Sequence, residues 1–270
     1  MGGQHQGIFT YPDRVEPVHG KFARGGYDAL VEVAGRDSVG AVVMLAREEG
    51  LRRLLPTIAY TGTEYGDLGS LFVNVERMRG LLEAEGTLVE EPVVIGSPRW
   101  WNAVIGRVNA VLSRRYGPWH ICIGCHMYLH ALRVPLCWST ETTRLVAGER
   151  LRHGGRIKVN QTRIAVEAYR SVLGRFGVRL ELPLLEVDGE RPVKSLVGEW
   201  EEGREQPSCA LSGNYLDRKD GVELDEERLR TYLTEYLVPV TERILAGIRE
   251  GAKVDYHEAV GEVLEEIGEK

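Results

Sequence analysis

Residues Ile121 to Arg133 read ICIGCHMYLHALR. Two thiols three positions apart, Cys122 and Cys125, are followed at once by His126 and one turn later by His130. On a helix, positions three apart share a face, so both sulfurs can point one way. At a helix start, the N-terminal dipole also favours thiolate over thiol. A third cysteine, Cys209, lies in QPSCALSGN between Pro207 and Gly213, a loop setting suited to a ligand. Cys122, Cys125 and Cys209 together could hold a metal ion or an iron–sulfur cluster. Zinc would need a fourth ligand, from His126, His130 or Cys137. A cluster ligated by all four cysteines would be closed to substrate. A c-type haem also uses Cys-x-x-Cys-His, but its attachment normally happens outside the cytoplasm. The opening residues, MGGQHQGIFTYPDRVEPVHG, lack the basic and apolar regions of an export signal. A bare dithiol could do redox work, but no thioredoxin-like pattern surrounds it. Cys137, in VPLCW, reads as a buried core thiol.

A second group of residues could bind an anion. Val33 to Ser38 read VAGRDS, where an apolar run enters a glycine turn and Asp37-Ser38 open a helical pattern. Backbone N–H groups at a helix start attract phosphate, and Ser38 adds a hydroxyl. The same residues would serve equally as an ordinary helix cap.

These groups need a scaffold. Short apolar runs at ALVEV (29–33), TIAY (57–60), PVVIG (92–96), TRLVAG (143–148) and VRLELPL (178–184) alternate with amphipathic segments of helical period. Strand and helix in strict alternation predict an α/β fold: a doubly wound parallel sheet with helices on both faces. Ligands in such folds sit beyond the carboxyl ends of the strands, so the loops after the strands are the expected site. After Asp188 the sequence turns polar and is punctuated by Gly and Pro. LDEERLRTYLTEYLVPVTERILAGIREG then reads as a long amphipathic helix, kinked at Pro239, and an acidic helix runs on to Lys270. The expected organisation is an N-terminal segment (1–24), an α/β domain (25–188), and a Cys209 loop with a C-terminal helical extension (189–270).

The AGRDS stretch resembles the pyrophosphate loop of the PP-loop ATP pyrophosphatases, Ser-Gly-Gly-x-Asp-Ser after the first strand. Gly35, Asp37 and Ser38 match, while Val33 and Ala34 replace the Ser and the first Gly. The second strand ends in YTGTEYGD (60–67), similar to the Asp-Thr-Gly segment of the adenylyl-sulfate reductase branch. The fourth strand ends in VAGERLRHGGRIKVNQ (146–161), in the position of the family's later phosphate-side loop. The resemblance covers roughly residues 25–185. It implies an adenine-nucleotide α-hydrolase-like fold and cleavage of ATP to AMP and pyrophosphate, with a substrate oxygen adenylylated. It implies Ala34, Gly35, Arg36, Asp37, Ser38, Thr61, Gly62, Gly148, Glu149, Arg150 and Lys158 around the nucleotide. Arg36, Asp37 and Ser38 are the catalytic candidates, with Asp37 near Mg²⁺. The spacing of Cys122, Cys125 and Cys209 resembles the iron–sulfur tRNA thiolases of the same group, implying a [4Fe–4S] cluster with one iron open to carry sulfur. Two other readings stand beside this one: an adenylyl-sulfate reductase-like enzyme, and a non-catalytic nucleotide-binding module with structural Zn²⁺.

The chain of 270 residues carries a formal net charge of -6, which disfavours broad nucleic-acid binding. Arg99, Arg107, Arg114 and Arg115 read as solvated helix faces, whereas Arg144, Arg150, Arg152, Arg156 and Lys158 form a second basic stretch. Glu201, Glu202 and Glu205 read as a solvated acidic loop. Trp100 and Trp101 are expected in the core. Nothing approaches the roughly 20 apolar residues of a membrane helix, and the expected location is cytoplasmic. Expected partners are a small-molecule substrate or tRNA, with no membrane. The C-terminal amphipathic helix could pack on the sheet or form a homodimer interface.

Overall fold

The computed structural model describes residues 9–10, 25–155, 157–201, 206–217, 219 and 221–269. Arg156, Glu202, Glu205 and the rest of the 1–24 segment lie outside the described residues.

The apolar runs do form strands. In chain order the elements are β1 (Phe9–Thr10), β2 (Ala29–Glu32), α1 (Arg36–Glu49), β3 (Arg53–Tyr60), β4 (Glu64–Tyr65), α2 (Gly69–Leu82), β5 (Leu88–Val89), β6 (Val93–Gly96), α3 (Pro98–Trp101) and α4 (Asn109–Arg115). Then come α5 (His120–Ala131), α6 (Val134–Ser139), β7 (Arg144–Val146), α7 (Arg163–Arg175), β8 (Arg179–Glu181), α8 (Arg191–Val197), β9 (Ser208–Cys209), α9 (Glu226–Tyr232), α10 (Val238–Arg249) and α11 (Tyr256–Glu266). The main sheet runs β1-β6-β3-β2-β7-β8, with β5 also on β3, and each of these pairings is parallel.

Parallel strands need both faces covered, and the alternation along each strand shows how this is done. Leu30, Leu55, Ile95 and Leu145 face a core shared with α5, α7 and the C-terminal helices. Val31, Leu54, Val94 and Val146 face the opposite core, under α1, α2 and α8. Strands β2, β3, β6, β7 and β8 thus lie between two helical layers, a Rossmann-like arrangement. The C-terminal helices are part of one face: Tyr236, Ile244 and Val263 are buried in the same core as Leu30. Arg115 and Arg114, on the face read as solvated, reach Glu235 and Glu269 of this C-terminal region.

The long C-terminal helix is not simply kinked at Pro239. Leu233–Leu237 winds as a π turn between α9 and α10. Proline lacks an N–H and crowds the carbonyl four residues before it, and a π turn takes up that mismatch. No described helix is long and apolar enough to cross a membrane.

Of the strands that follow β2 in the chain, β3 and β6 lie on one side of it, and β7 and β8 lie on the other. The order reverses between β2 and β7. The crevice at that switch point, beyond the carboxyl ends of these two strands, is where doubly wound sheets bind ligands.

Candidate functional site

The loops leaving β2 and β7 meet in that crevice. Ala34–Ser38 leads into α1, and Gly148–Arg150 follows β7. The hydroxyl of Ser38 accepts from the Ala34 N–H at 2.9 Å and donates to the Gly35 carbonyl at 2.7 Å. Ser38 therefore closes the loop upon itself, and the donors that the loop leaves for an anion are the backbone N–H groups of the helix start. The Asn74 side-chain amide, from α2, donates to the Ala34 carbonyl at 2.8 Å and fixes the loop from behind. Arg150 Nε donates to Asp37 Oδ2 at 2.9 Å, and its Nη1 donates to the Gly189 carbonyl at 2.8 Å. Arg36 lies 3.5 Å from Asp37 and 3.6 Å from Glu190. A cavity of about 280 Å³ opens over this loop, lined by Ala34–Ser38, Gly148, Glu149, His126, Lys158 and Gln161.

Below the cavity a buried network of charges ties the two loops to α5. Glu149 Oε1 lies 2.7 Å from His126 Nδ1 and 3.1 Å from His130 Nε2. Glu32, on β2, lies 3.5 Å from His130 Nδ1 and 3.1 Å from Arg133 Nη1. Arg133 also donates to Thr57 Oγ1 at 2.7 Å. Burial pushes the His130 imidazolium toward losing its proton, but the Glu149 and Glu32 carboxylates outweigh this and hold it up at about 9. Burial raises Glu149 and Glu32, yet the opposite charges of His126, His130 and Arg133 hold both below the usual carboxylate range. The reading from residue types missed Glu32 and Arg133. The signal was present: Glu32 is a charge inside the apolar ALVEV strand, and such a charge requires a buried partner.

The three cysteines share a second cavity, of about 370 Å³, beside the first. Cys122 and Cys125 project from α5. Cys209 comes from β9, which pairs antiparallel with β4, so that Cys209 faces Glu64 in register. Thr61 lines the cavity and is fixed by Glu64, which accepts from the Thr61 N–H at 3.0 Å and its hydroxyl at 2.7 Å. Gly62 takes a left-handed φ of 92°, which lets the turn close. The Leu211 N–H donates to Cys209 Sγ at 3.4 Å, and Thr63 Oγ1 lies 3.4 Å from the same sulfur. His126, Lys158, Gln161 and Gln206 line both cavities, which therefore lie side by side.

The expected lowering of the thiol pKa at the helix start does not occur. Burial, followed by the charge of Cys209, pushes Cys122 up to about 12. Burial pushes Cys125 up as well. The dipole effect is small beside this desolvation, and only a cation or a bound metal would favour thiolate here. Cys137 is fully buried in the core on α6, as its VPLCW context implies. Trp100 is likewise a core residue. Among the described residues, the one trio of His, Cys, Asp or Glu ligand atoms mutually within 4.8 Å is His126, His130 and Glu149. The three thiols are spread more widely than that.

No family model matches the chain. An uncharacterized protein of Methanocaldococcus jannaschii, MJ0009, is 35% identical to it over 232 residues, spanning 85% of this chain and 82% of that protein.

Proposed function

The chain belongs to the family of the Methanocaldococcus jannaschii protein MJ0009, and we propose that it is an ATP-dependent, AMP-forming enzyme of PP-loop type that activates a substrate carbonyl for sulfur transfer. The observation that carries the reading is the adjacency of two cavities that share four lining residues. One lies on a helix-start loop at the switch point, and the other is lined by Cys122, Cys125 and Cys209.

In this reading the triphosphate lies on the backbone of Ala34–Ser38, with Lys158 at the mouth and Mg²⁺ near Asp37 offsetting its charge. The substrate carbonyl oxygen attacks the α-phosphorus, and pyrophosphate leaves. The oxygen, now carrying AMP, is a good leaving group, and a sulfur nucleophile displaces it at carbon. The nucleophile would arrive from the thiol cavity. A [4Fe–4S] cluster on the three cysteines would leave one iron open to carry sulfur.

The donor set suits such a cluster. Tetrahedral zinc, with Zn–S near 2.3 Å, would draw its sulfurs to within about 3.8 Å of one another. At least one pair of the three thiols is farther apart than 4.8 Å, a spread that a cluster with its cysteines on separate irons accepts. The Leu211 N–H aimed at Cys209 Sγ is the kind of hydrogen bond that stabilises a cluster thiolate. The net charge of -6, and the use of Arg144 and Arg150 in internal ion pairs, favour a small substrate over tRNA.

Protein purified without oxygen tests the reading. The expected result is about four iron and four sulfide per chain, together with AMP and pyrophosphate from ATP in the presence of substrate. Full metal content after Cys122→Ser, Cys125→Ser and Cys209→Ser would remove the cluster assignment. Thr61 and Glu64 beside Cys209 favour a second reading, an adenylyl-sulfate reductase-like enzyme that takes a nucleotide already activated. That enzyme would release no pyrophosphate from ATP. Zinc in place of iron, with ATP bound but uncleaved, would instead indicate a non-catalytic nucleotide-binding module.

A further inference from the structure

Glu149 centres an arrangement to which the proposed reaction gives no role. His126 and His130 are one turn apart on α5 and present their rings to the same side. Glu149 arrives between them from the loop after β7. His126 Nδ1, His130 Nε2 and a Glu149 oxygen lie within 4.8 Å of one another.

The outer contacts are those of a metal site. Each imidazole turns one nitrogen to Glu149 and the other to a second partner. His130 Nδ1 faces Glu32, itself 3.1 Å from Arg133. His126 Nε2 lies 2.9 Å from Asn160 Nδ2, and a flip of that amide puts its oxygen there to accept the Nε2 proton of a metal-bound imidazole. Metal-binding histidines are oriented in this way, by a carboxylate or amide on the far ring nitrogen. Hydrogen bonding alone accounts for less. It places both imidazoles on the single oxygen Oε1 and leaves Glu149 Oε2 buried with no hydrogen-bond partner among the described residues. Glu149 is only 2% exposed, so water does not readily take that place. An ion between the three groups would use both ring nitrogens and engage the carboxylate as a whole.

We propose that His126, His130 and Glu149 form a binding site for one divalent transition-metal ion of borderline softness, zinc or ferrous iron, separate from the cysteine site. Once the ion displaces the His130 proton, two imidazole nitrogens and one carboxylate suit such ions, and three protein ligands leave positions open. The open side faces the cavity above Ala34–Ser38, which Glu149 and His126 both line. The ion would take an anionic oxygen there, from a phosphate group or from an ionised water.

Cobalt reports the site directly, without ATP and without a cluster. The full chain carrying Cys122→Ser, Cys125→Ser and Cys209→Ser is stripped with a chelator and titrated with Co²⁺. The expected result is one Co²⁺ per chain, with weak visible bands of nitrogen and oxygen ligation, displaced by Zn²⁺. His126→Ala in that background is expected to weaken binding at least 100-fold. His126 is partly exposed, so its truncation spares the core. If the triple serine variant does not fold, the same titration on the wild-type chain separates the sites, because thiolate-bound cobalt shows intense charge-transfer bands. Absence of Co²⁺ binding without thiolate bands, or unchanged affinity after His126→Ala, overturns the proposal. Failure of AMP formation would not affect either result, so the two readings fall separately.

Discussion

Gly148 presses its backbone against Ser38: a methyl group placed on Gly148 would lie 2.4 Å from the Ser38 nitrogen and 2.5 Å from the Asp37 carbonyl carbon. The loop after β7 and the start of α1 are therefore in backbone contact across the switch point. No side-chain adjustment can relieve that contact, because the atoms met are main chain. Gly148→Ala is expected to push the loops apart, to cost about 1–3 kcal/mol as an overpacking change, and to weaken nucleotide binding more than tenfold. Thermal unfolding and nucleotide titration check both effects. Wild-type nucleotide affinity in Gly148→Ala would show that the crevice is not where the nucleotide binds.

Arg150 ties Asp37 to the Gly189 carbonyl through two different nitrogens of one guanidinium. A lysine could reach one of these acceptors but not both. Breaking a buried pair leaves a charge without its partner, at a cost of about 3–5 kcal/mol. Asp37 keeps some exposure, so Arg150→Ala is expected near the lower end. Arg150→Lys is expected to fall between Arg150→Ala and wild type in urea unfolding. Equal stability for Arg150→Lys and wild type would mean that the fork geometry contributes nothing.

Much of this was legible in the sequence, for identifiable reasons. Parallel strands buried on both faces must read as unbroken apolar runs, so ALVEV and PVVIG announce themselves. The turn in VAGRDS is visible because glycine and capping residues follow a strand directly. The helix of Cys122 and Cys125 is visible from its period. The helix α8, RPVKSLV, is not visible, because seven residues within a polar, glycine-punctuated stretch carry too little periodicity. The β4–β9 pairing is also invisible, since two-residue strands far apart in the chain are specified by tertiary contact. The thiol environment was misjudged because a helix start is a local property, whereas burial depends on what the rest of the chain places on top.

Glu181 receives Arg144 and Arg179 on β7 and β8, at the β8 edge of the sheet. The lining of a third cavity, of about 770 Å³, includes Arg144, Arg179 and Glu181. Burial raises the Glu181 pKa, but Arg144 and Arg179 together hold it below the ordinary carboxylate value of 4.5. A depressed carboxylate stabilises the fold above its unfolded pKa, and that contribution is lost as pH falls through the folded one. Glu181→Gln is thus expected to cost about 1 kcal/mol at pH 7, with the difference from wild type closing as pH falls below 4.5. Urea midpoints at pH 7 and at about pH 3 make the comparison. A constant difference across that range would assign the effect to packing.

Thr63 places its hydroxyl 3.4 Å from Cys209 Sγ, opposite the Leu211 N–H on the same sulfur. With a cluster bound, the sulfur is a thiolate, and the Thr63 hydroxyl can only donate to it, by turning its proton away from Thr61 Oγ1, 2.8 Å distant. Donors to a ligating sulfur favour the reduced, more negative state and so raise the reduction potential. Thr63→Val keeps the shape and removes the donor. A hydrogen bond worth about 1 kcal/mol corresponds to ~40 mV for one electron. The cluster of Thr63→Val is therefore expected to be harder to reduce by roughly that amount, with metal content unchanged. Anaerobic redox titration followed by electron paramagnetic resonance reads the shift. A potential equal to wild type would mean that the cluster, where present, does not use Cys209 in the position described.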